Sequence, residues 1–358
     1  MSVETSRSVS ALPSRDARDA RFAHSTPTIE DVARVAGVSR QTVSNVLNAP
    51  ERVKPATISS VRTAIDSLGY RANRHARNLR TQTSRVIGYC LPPLTAMGNS
   101  VLDAFLHTLV ESAESFGYHT LLVTAPNPTS EIMMYRGLAA QSAVDGVVFA
   151  QTVAADPRPA ALREMKLPFV SFGRTWGDIE HSWVDVDGAA GTRLVAEHLI
   201  RSGHRRFGWI AHEPNSAGAH ERERGVIDAV RSAGLGEGAL EIIRIDETGS
   251  DLVTRRLTEL LDGPDRPTAY IAGSDLQALT VLAELEARGL VPGRDVAVVG
   301  FDDSPVAAYA GGGLSSVRQP IAAVTSELVR LLNAQFLDHA SPPEGVLLEP
   351  ELVLRRTG

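Results

Sequence analysis

Apolar positions near the start of the chain recur at helical spacing. Val32, Ala33 and Ala36 form one inward set, Val43, Val46 and Leu47 a second, and a third helical run ends at Leu68. Each run has local start and stop chemistry. Thr28-Ile29-Glu30-Asp31 has the form of a capping box, in which a hydroxyl and a carboxylate three residues apart each satisfy a backbone amide. Gly37 offers the left-handed residue that ends the first helix, and Ser39 fits the N-cap of the second. Asn48-Ala49-Pro50 stops the second helix, Pro55 opens the third and Gly69 closes it. The pattern therefore predicts three short helices, the first two joined by a tight turn.

From Arg85 onward the pattern changes. Short apolar runs at 86–91, 119–124, 144–149, 169–172, 206–211, 268–272 and 295–300 alternate with amphipathic stretches at 101–116, 188–202, 222–233, 275–288 and 321–338. Strand-then-helix alternation predicts parallel sheets covered by helices on both faces. A segment this long is large for one such sheet, so two Rossmann-like lobes with a cleft between them are expected. Ligands of such sheets bind at the carboxyl ends of strands.

Composition adds a division of charge. The 358 residues carry net −6, but residues 1–85 hold 14 Arg/Lys against 7 Asp/Glu, whereas the remainder holds 22 against 35. A basic end on an acidic body points to a polyanionic partner for that end. The lone cysteine, Cys90, excludes an internal disulfide and a cysteine-based metal cage, which fits a reducing cytosolic setting. No apolar run approaches membrane-spanning length, and residues 1–26 lack the apolar core of a secretory signal, so they read as a disordered tail.

Two helices joined through Gly37 have helix-turn-helix geometry, with the second helix presenting Arg40, Gln41, Ser44 and Asn45 on its polar face. Arg reads guanine, and Gln or Asn reads adenine, through paired hydrogen bonds worth about 1–3 kcal/mol of discrimination each. The same spacing also fits an ordinary helical hairpin with a solvated polar face. The following stretch favours nucleic acid: Arg71, Arg74, Arg77 and Arg80 recur every third residue around Leu79, an apolar side chain suited to wedging a minor-groove base step.

On Thr28-Ile29-Glu30-Asp31-Val32-Ala33, Ala36-Gly37-Val38-Ser39, Thr42-Val43-Ser44 and the segment ending in Leu79, the chain resembles the lactose/galactose-repressor (LacI/GalR) family of bacterial transcription regulators. The resemblance continues through the body to Arg356. It implies an all-α helix-turn-helix headpiece (residues 27–69), a hinge helix or linker (70–84) and an α/β body like a periplasmic binding protein (85–358). It further implies a homodimer on a pseudo-palindromic double-stranded operator, with the hinge helices in the minor groove. By this resemblance Arg40, Gln41 and Asn45 choose the sequence. Thr28, Thr42, Ser44, Asn48, Tyr70, Asn73, Arg74 and Arg77 are further DNA-facing or hinge positions, and Leu79 is the wedge. Two departures stand out: Ala72 replaces a frequent proline, and Lys54-Pro55 replaces the usual hydroxyl cap of the third helix.

In the body, Gly273-Ser274-Asp275 and Phe301-Asp302-Asp303 put carboxylates at strand ends, and Arg174-Thr175-Trp176 follows another strand. Planar polar groups and an aromatic face are what a saccharide needs, although an acid after a strand is more often a cap or turn residue. The resemblance makes Arg222 and Asp302 the principal effector contacts, with Ser274, Gln319, Arg174 and Trp176 beside them, and leaves Asp145 and Asp303 as structural acids. It also divides the lobes at 86–184 plus 319–344 and 185–318 plus 345–356. The final residues carry no heptads, so a dimer is expected and not a tail-assembled tetramer.

These features together predict a cytoplasmic, nucleoid-associated repressor released or tuned by a mono- or oligosaccharide. An enzyme is disfavoured because no Gly-x-Gly-x-x-Gly, phosphate loop, nucleophile elbow or His-Glu-x-x-His occurs. His198 and His204 are six apart and do not share a helix face, and no metal or cofactor is expected. A secreted sugar-binding protein would share the body but lack the basic headpiece.

Overall fold

The structure, a computed structural model, describes residues 27–70, 83–91, 101–177, 179–211, 214–245 and 251–358. The chain divides into two compact units, Met1–Gln82 and Thr83–Gly358. The expected tail and the hinge positions Asn73, Arg74, Arg77 and Leu79 lie outside the described residues.

The first unit contains helices α1 (Ile29–Ala36), α2 (Arg40–Asn48) and α3 (Pro55–Leu68). The capping box forms as expected: Thr28 Oγ1 accepts from the Asp31 amide, and the Asp31 carboxylate accepts from the Thr28 amide at 3.0 Å. The hydrogen bonds that the Thr28 amide and hydroxyl donate to it hold the Asp31 carboxyl below its usual range. Gly37 takes φ 68° and ends α1, and Ser39 Oγ accepts from the Thr42 amide at 3.1 Å to start α2. Val32, Val43, Val46, Val61 and Ala64 make the small core between the three helices. Leu47 departs from the inward position expected of it and is 38% exposed. A core this small closes on one side of α2, and Val43 and Val46 already fill that side. Lys54 makes no side-chain cap bond, so α3 starts on Pro55 alone.

The second unit is built on two six-stranded sheets. Lobe one has strands β1 (Val86–Leu91), β2 (His119–Thr124), β3 (Gly146–Phe149), β4 (Phe169–Phe172), β5 (Trp183–Val186) and β11 (Gly345–Leu348). They lie in the order β11-β5-β4-β3-β1-β2 and are all parallel. Its helices are α4 (Leu102–Ser115), α5 (Pro128–Ala140), α6 (Arg158–Glu164) and α11 (Ile321–Leu337).

Lobe two has β6 (Phe207–Ala211), β7 (Leu240–Arg244), β8 (Ala269–Ala272), β9 (Ala297–Asp302), β10 (Ser315–Arg318) and β12 (Glu351–Val353). The order is β12-β10-β9-β8-β6-β7, parallel except for β12 against β10. Helices α7 (Gly188–Arg201), α8 (Ala217–Ser232), α9 (Asp251–Asp262) and α10 (Asp275–Ala287) cover it. Each sheet has a core on both faces, as its unbroken apolar strands require.

The crossing at Gln319 falls where it was expected, but the first and third lobe boundaries differ. Strand β5 runs through Val186, and β11 pairs with β5, so the chain crosses near Asp187, near Gln319 and again at Glu349-Pro350. Asp185 and residues 345–348 therefore belong to lobe one. The expected break after Val184 falls inside β5 and the one after Glu344 falls just before β11, so the chain runs on as a strand past both. Helix α8 also begins earlier than expected, at Ala217, because Ser216 Oγ caps it by accepting from the Ala219 amide at 3.2 Å.

A buried ionic cluster fixes the end of β3. Arg158 is 3% exposed and pairs with Asp156 at 2.6 Å and Glu131 at 3.0 Å. Its remaining donors reach the carbonyls of Ala150 and Gln151, each at 3.0 Å, and its guanidinium lies 4.4 Å from the Phe149 ring centroid. Tyr135 donates to Glu131 at 2.6 Å. Burial pushes the Glu131 carboxyl up while Arg158 opposes it. Removing one member of such a cluster strands the others without water. We therefore expect Arg158→Leu to lose about 3–5 kcal/mol of stability, read by urea unfolding. A loss below 1 kcal/mol would mean that water replaces the guanidinium.

Candidate functional site

The first site is the cleft between the lobes, at the carboxyl ends of their strands. A cavity of about 330 Å³ is lined by Tyr89, Phe105 and Phe172 on the apolar side and by Gln151, Thr152, Asp185, Arg222, Asp302 and Gln319 on the polar side. It sits where sheet order reverses around β1 in lobe one and around β6 in lobe two, the usual ligand position in such sheets.

Arg222 is placed by close helix packing. A side chain at Gly225 would meet Thr192 Oγ1 at 2.2 Å and the Ala189 carbonyl at 2.3 Å, so a glycine there lets α8 lie directly on α7. Thr192 Oγ1 then donates to the Arg222 carbonyl at 2.7 Å. The guanidinium lies 3.8 Å from the Phe301 ring centroid, a cation–π contact, and Nη1 donates to the Gly273 carbonyl at 2.9 Å. Nε is buried without a partner among the described residues. Burial lowers the Arg222 pKa, and Asp302 and Asp185 counter that shift. The cation thus faces two carboxylates across the cavity, with its Nε donor unspent.

Asp302 ends β9 in an uncommon conformation, with φ at 111°, and Asp303 follows at 49°. The Asp302 carboxylate accepts from Gln319 Nε2 at 2.6 Å. Asp303 turns elsewhere, to Arg318 at 2.8 Å and Arg355 at 2.6 Å. Asp145 accepts from the amide of Arg85 at 2.9 Å, securing the entry to β1.

The other expected contacts are placed differently. Ser274 is the N-cap of α10, its Oγ accepting from the Gln277 amide at 3.3 Å, and it does not line the cavity. Arg174 and Trp176 stand at the rim and bridge the lobes. Arg174 bonds Asp185 at 2.9 Å in its own lobe and Glu221 of α8 in the other. Trp176 meets the His220 ring edge to face at 5.5 Å, and the Ala154 amide donates to the Asn215 carbonyl at 2.9 Å. Asp185, Gln151 and Glu221 were not singled out from sequence. A carboxylate inside the otherwise apolar Trp183–Val186 run was the available signal for Asp185.

The second site is the exposed face of α2. Arg40 and Gln41 are exposed, while Ser44 and Asn45 are half-buried. Gln41 Nε2 donates to Asn45 Oδ1 at 3.0 Å, one turn apart, and Arg40 meets Glu30 at 3.2 Å. Thr28 and Thr42 are engaged at the two helix starts, Tyr70 packs on the core, and Asn48 is the last residue of α2. Among the described residues no helix is long and apolar enough to cross a membrane, and no acidic, His or Cys group is arranged to hold a metal.

A helix-turn-helix unit joined to a two-lobed α/β body with a polar interlobe cleft defines a ligand-responsive DNA-binding regulator. Residues 28–73 match the family described as bacterial regulatory proteins, lacI family, and residues 196–357 match the periplasmic binding protein-like domain. The HTH-type transcriptional regulator CelR of Thermobifida fusca is 35% identical over 340 residues, covering 93% of this chain and 98% of that protein. GalR of Escherichia coli (strain K12) is 30% identical over 338 residues, covering 92% and 95%. The solved transcriptional regulator CelR–cellobiose complex superposes with TM-score 0.68 at 32% identity, covering 93% and 100%. The Lac repressor dimer bound to operator and the anti-inducer ONPF gives TM-score 0.79 at 23% identity, covering 93% and 99%, a likeness of fold. The chain belongs to the LacI family of transcriptional regulators, whose members are not enzymes.

The rim contacts are testable as a unit. Arg174→Met and Glu221→Gln, made singly and together, should show a coupling of about 0.5–3 kcal/mol in thermal unfolding. Strict additivity would mean that the pair does not link the lobes.

Proposed function

We propose that this protein is a cytoplasmic, nucleoid-associated repressor that grips a pseudo-palindromic operator as a homodimer and is released or tuned by a saccharide in the interlobe cleft. The observation that carries the effector half is the guanidinium of Arg222, buried over Phe301 with Nε unpartnered and facing Asp302 and Asp185. A neutral polyol suits this arrangement because its hydroxyls both donate and accept, whereas a charged ligand would unbalance one side. Tyr89, Phe105 and Phe172 offer apolar walls for the sugar ring. The relative solved with cellobiose supports the same class.

For the operator, Arg40, Gln41 and Asn45 on the exposed face of α2 are the base-reading residues in this proposal. Thr28, Thr42, Ser44, Asn48, Tyr70, Asn73, Arg74 and Arg77 act on backbone or hinge, and Leu79 is the wedge. Exposed Leu122 on edge strand β2 and Ile242 on edge strand β7 supply apolar surface for a second copy.

Selection of duplexes from a genomic pool should return a pseudo-palindrome for the full chain and none for a chain lacking residues 1–82. Sequence-specific retention by the truncated chain would reject the headpiece assignment. In a thermal-shift panel of cellobiose, D-galactose and D-ribose, a bound sugar at 100 times its dissociation constant should add about 2.7 kcal/mol. Arg222→Ala should abolish that shift; an equal shift in both proteins would move the site elsewhere.

A further inference from the structure

The turn that presents Asp302 is held by a carboxylate outside the cavity lining. Asp275, the first residue of α10, is wholly buried. It accepts from the Ser304 amide at 2.6 Å, from Ser304 Oγ at 2.7 Å and from Ser316 Oγ. Ser316 Oγ in turn accepts from the Asp303 amide at 3.0 Å. One carboxylate thereby holds Ser304 directly and the Asp303 amide through Ser316, pinning the C-terminal side of the Asp302-Asp303 step, where two successive non-glycine residues have positive φ. Such conformations cost about 1–3 kcal/mol each and persist only where the surroundings over-determine them.

Space for this carboxylate is kept by Gly300. A side chain there would lie 2.3 Å from Asp275 Oδ1. No Arg or Lys pairs with Asp275 among the described residues, so three hydrogen bonds and the amino end of α10 carry its desolvation. A buried unpaired acid is costly where stability alone is required, since apolar residues fill such space at lower cost. Its geometry serves the turn.

We propose that Asp275 is a positioning residue for effector recognition: it locks the left-handed Asp302-Asp303 turn through Ser304 and Ser316, so that the Asp302 carboxylate faces the cleft and Asp303 faces Arg318 and Arg355. This rests on the reading of the cleft as a saccharide site. Asp275 touches no ligand in this scheme and acts only through Asp302.

The test is a double-mutant cycle on the full chain. Wild type, Asp275→Asn, Asp302→Ala and the double variant are titrated calorimetrically with cellobiose, D-galactose and D-ribose. For whichever sugar binds wild type, Asp275→Asn should weaken binding by about tenfold or more, because the amide keeps one acceptor oxygen where the carboxylate has two, so either the Ser304 donors or the Ser316 hydroxyl lose their acceptor. The double variant should bind no more weakly than Asp302→Ala alone. A merely structural acid would instead leave affinity unchanged or give losses that multiply, and either result overturns the proposal. If Asp275→Asn does not fold, Ser316→Ala takes its place, with the same non-additivity expected on a smaller loss. Sugar binding lost in Asp302→Ala but kept in Asp275→Asn sinks this inference alone. If none of the three sugars binds wild type, the saccharide reading fails and takes the inference with it.

Discussion

A guanidinium withdrawn from water has to be compensated within the protein, and the arrangement around Arg222 is organised by that requirement. Burial of the cation is offset by the Phe301 ring, the Gly273 carbonyl and the fields of Asp302 and Asp185. To bring it there, α8 must lie on α7 at a distance only glycine permits, and β9 must end in a turn that aims one carboxylate inward. The donor left over at Nε distinguishes this network from one whose donors are all used. Compare Arg158, more fully withdrawn at 3% exposure where Arg222 is half-buried, whose carboxylates and carbonyls use its donors fully. The first arrangement leaves hydrogen-bonding capacity at the cavity wall; the second leaves none.

Much of the headpiece could be read from sequence because its determinants are local. Thr28, Gly37, Ser39 and Gly69 act within one turn of themselves, and the helix limits they imply are the ones observed. Leu47 was misread because periodicity says which face a residue is on and not how far the core extends around it. In the body, strands and helices were legible as alternating runs and so was the crossover at Gln319, whereas the first crossover was not, since Asp185 and Val186 simply continue a strand. Arg222, Asp302 and Gln319 come together as expected. Arg174 and Trp176 were placed near the right cleft, but their partners Glu221 and His220 lie more than 40 residues away, and only the folded chain brings them to the rim.

The division of charge seen at the outset takes a physical form in how arginines are used. In the body they are largely engaged with carboxylates: Arg174, Arg244, Arg288, Arg318 and Arg330 each hold one or two. In the headpiece Arg40 pairs with Glu30 alone among the described residues, and both side chains are well exposed. Such a pair contributes little and is screened by salt, so exchanging Glu30 for a polyanion costs little.

The three chain crossings between the lobes are also neighbours in space. Strand β5 lies beside β11 in one sheet, and β10 beside β12 in the other, so the crossings leave from a single edge of each sheet. Three parallel pins along one edge resist sliding and twisting but leave rotation about that edge soft. The body therefore has, to first approximation, one internal coordinate, the opening angle. A ligand can transmit only what changes the free energy along that coordinate. Two sugars that occupy the cleft quite differently but favour the same angle would, to anything attached to the body, be the same message.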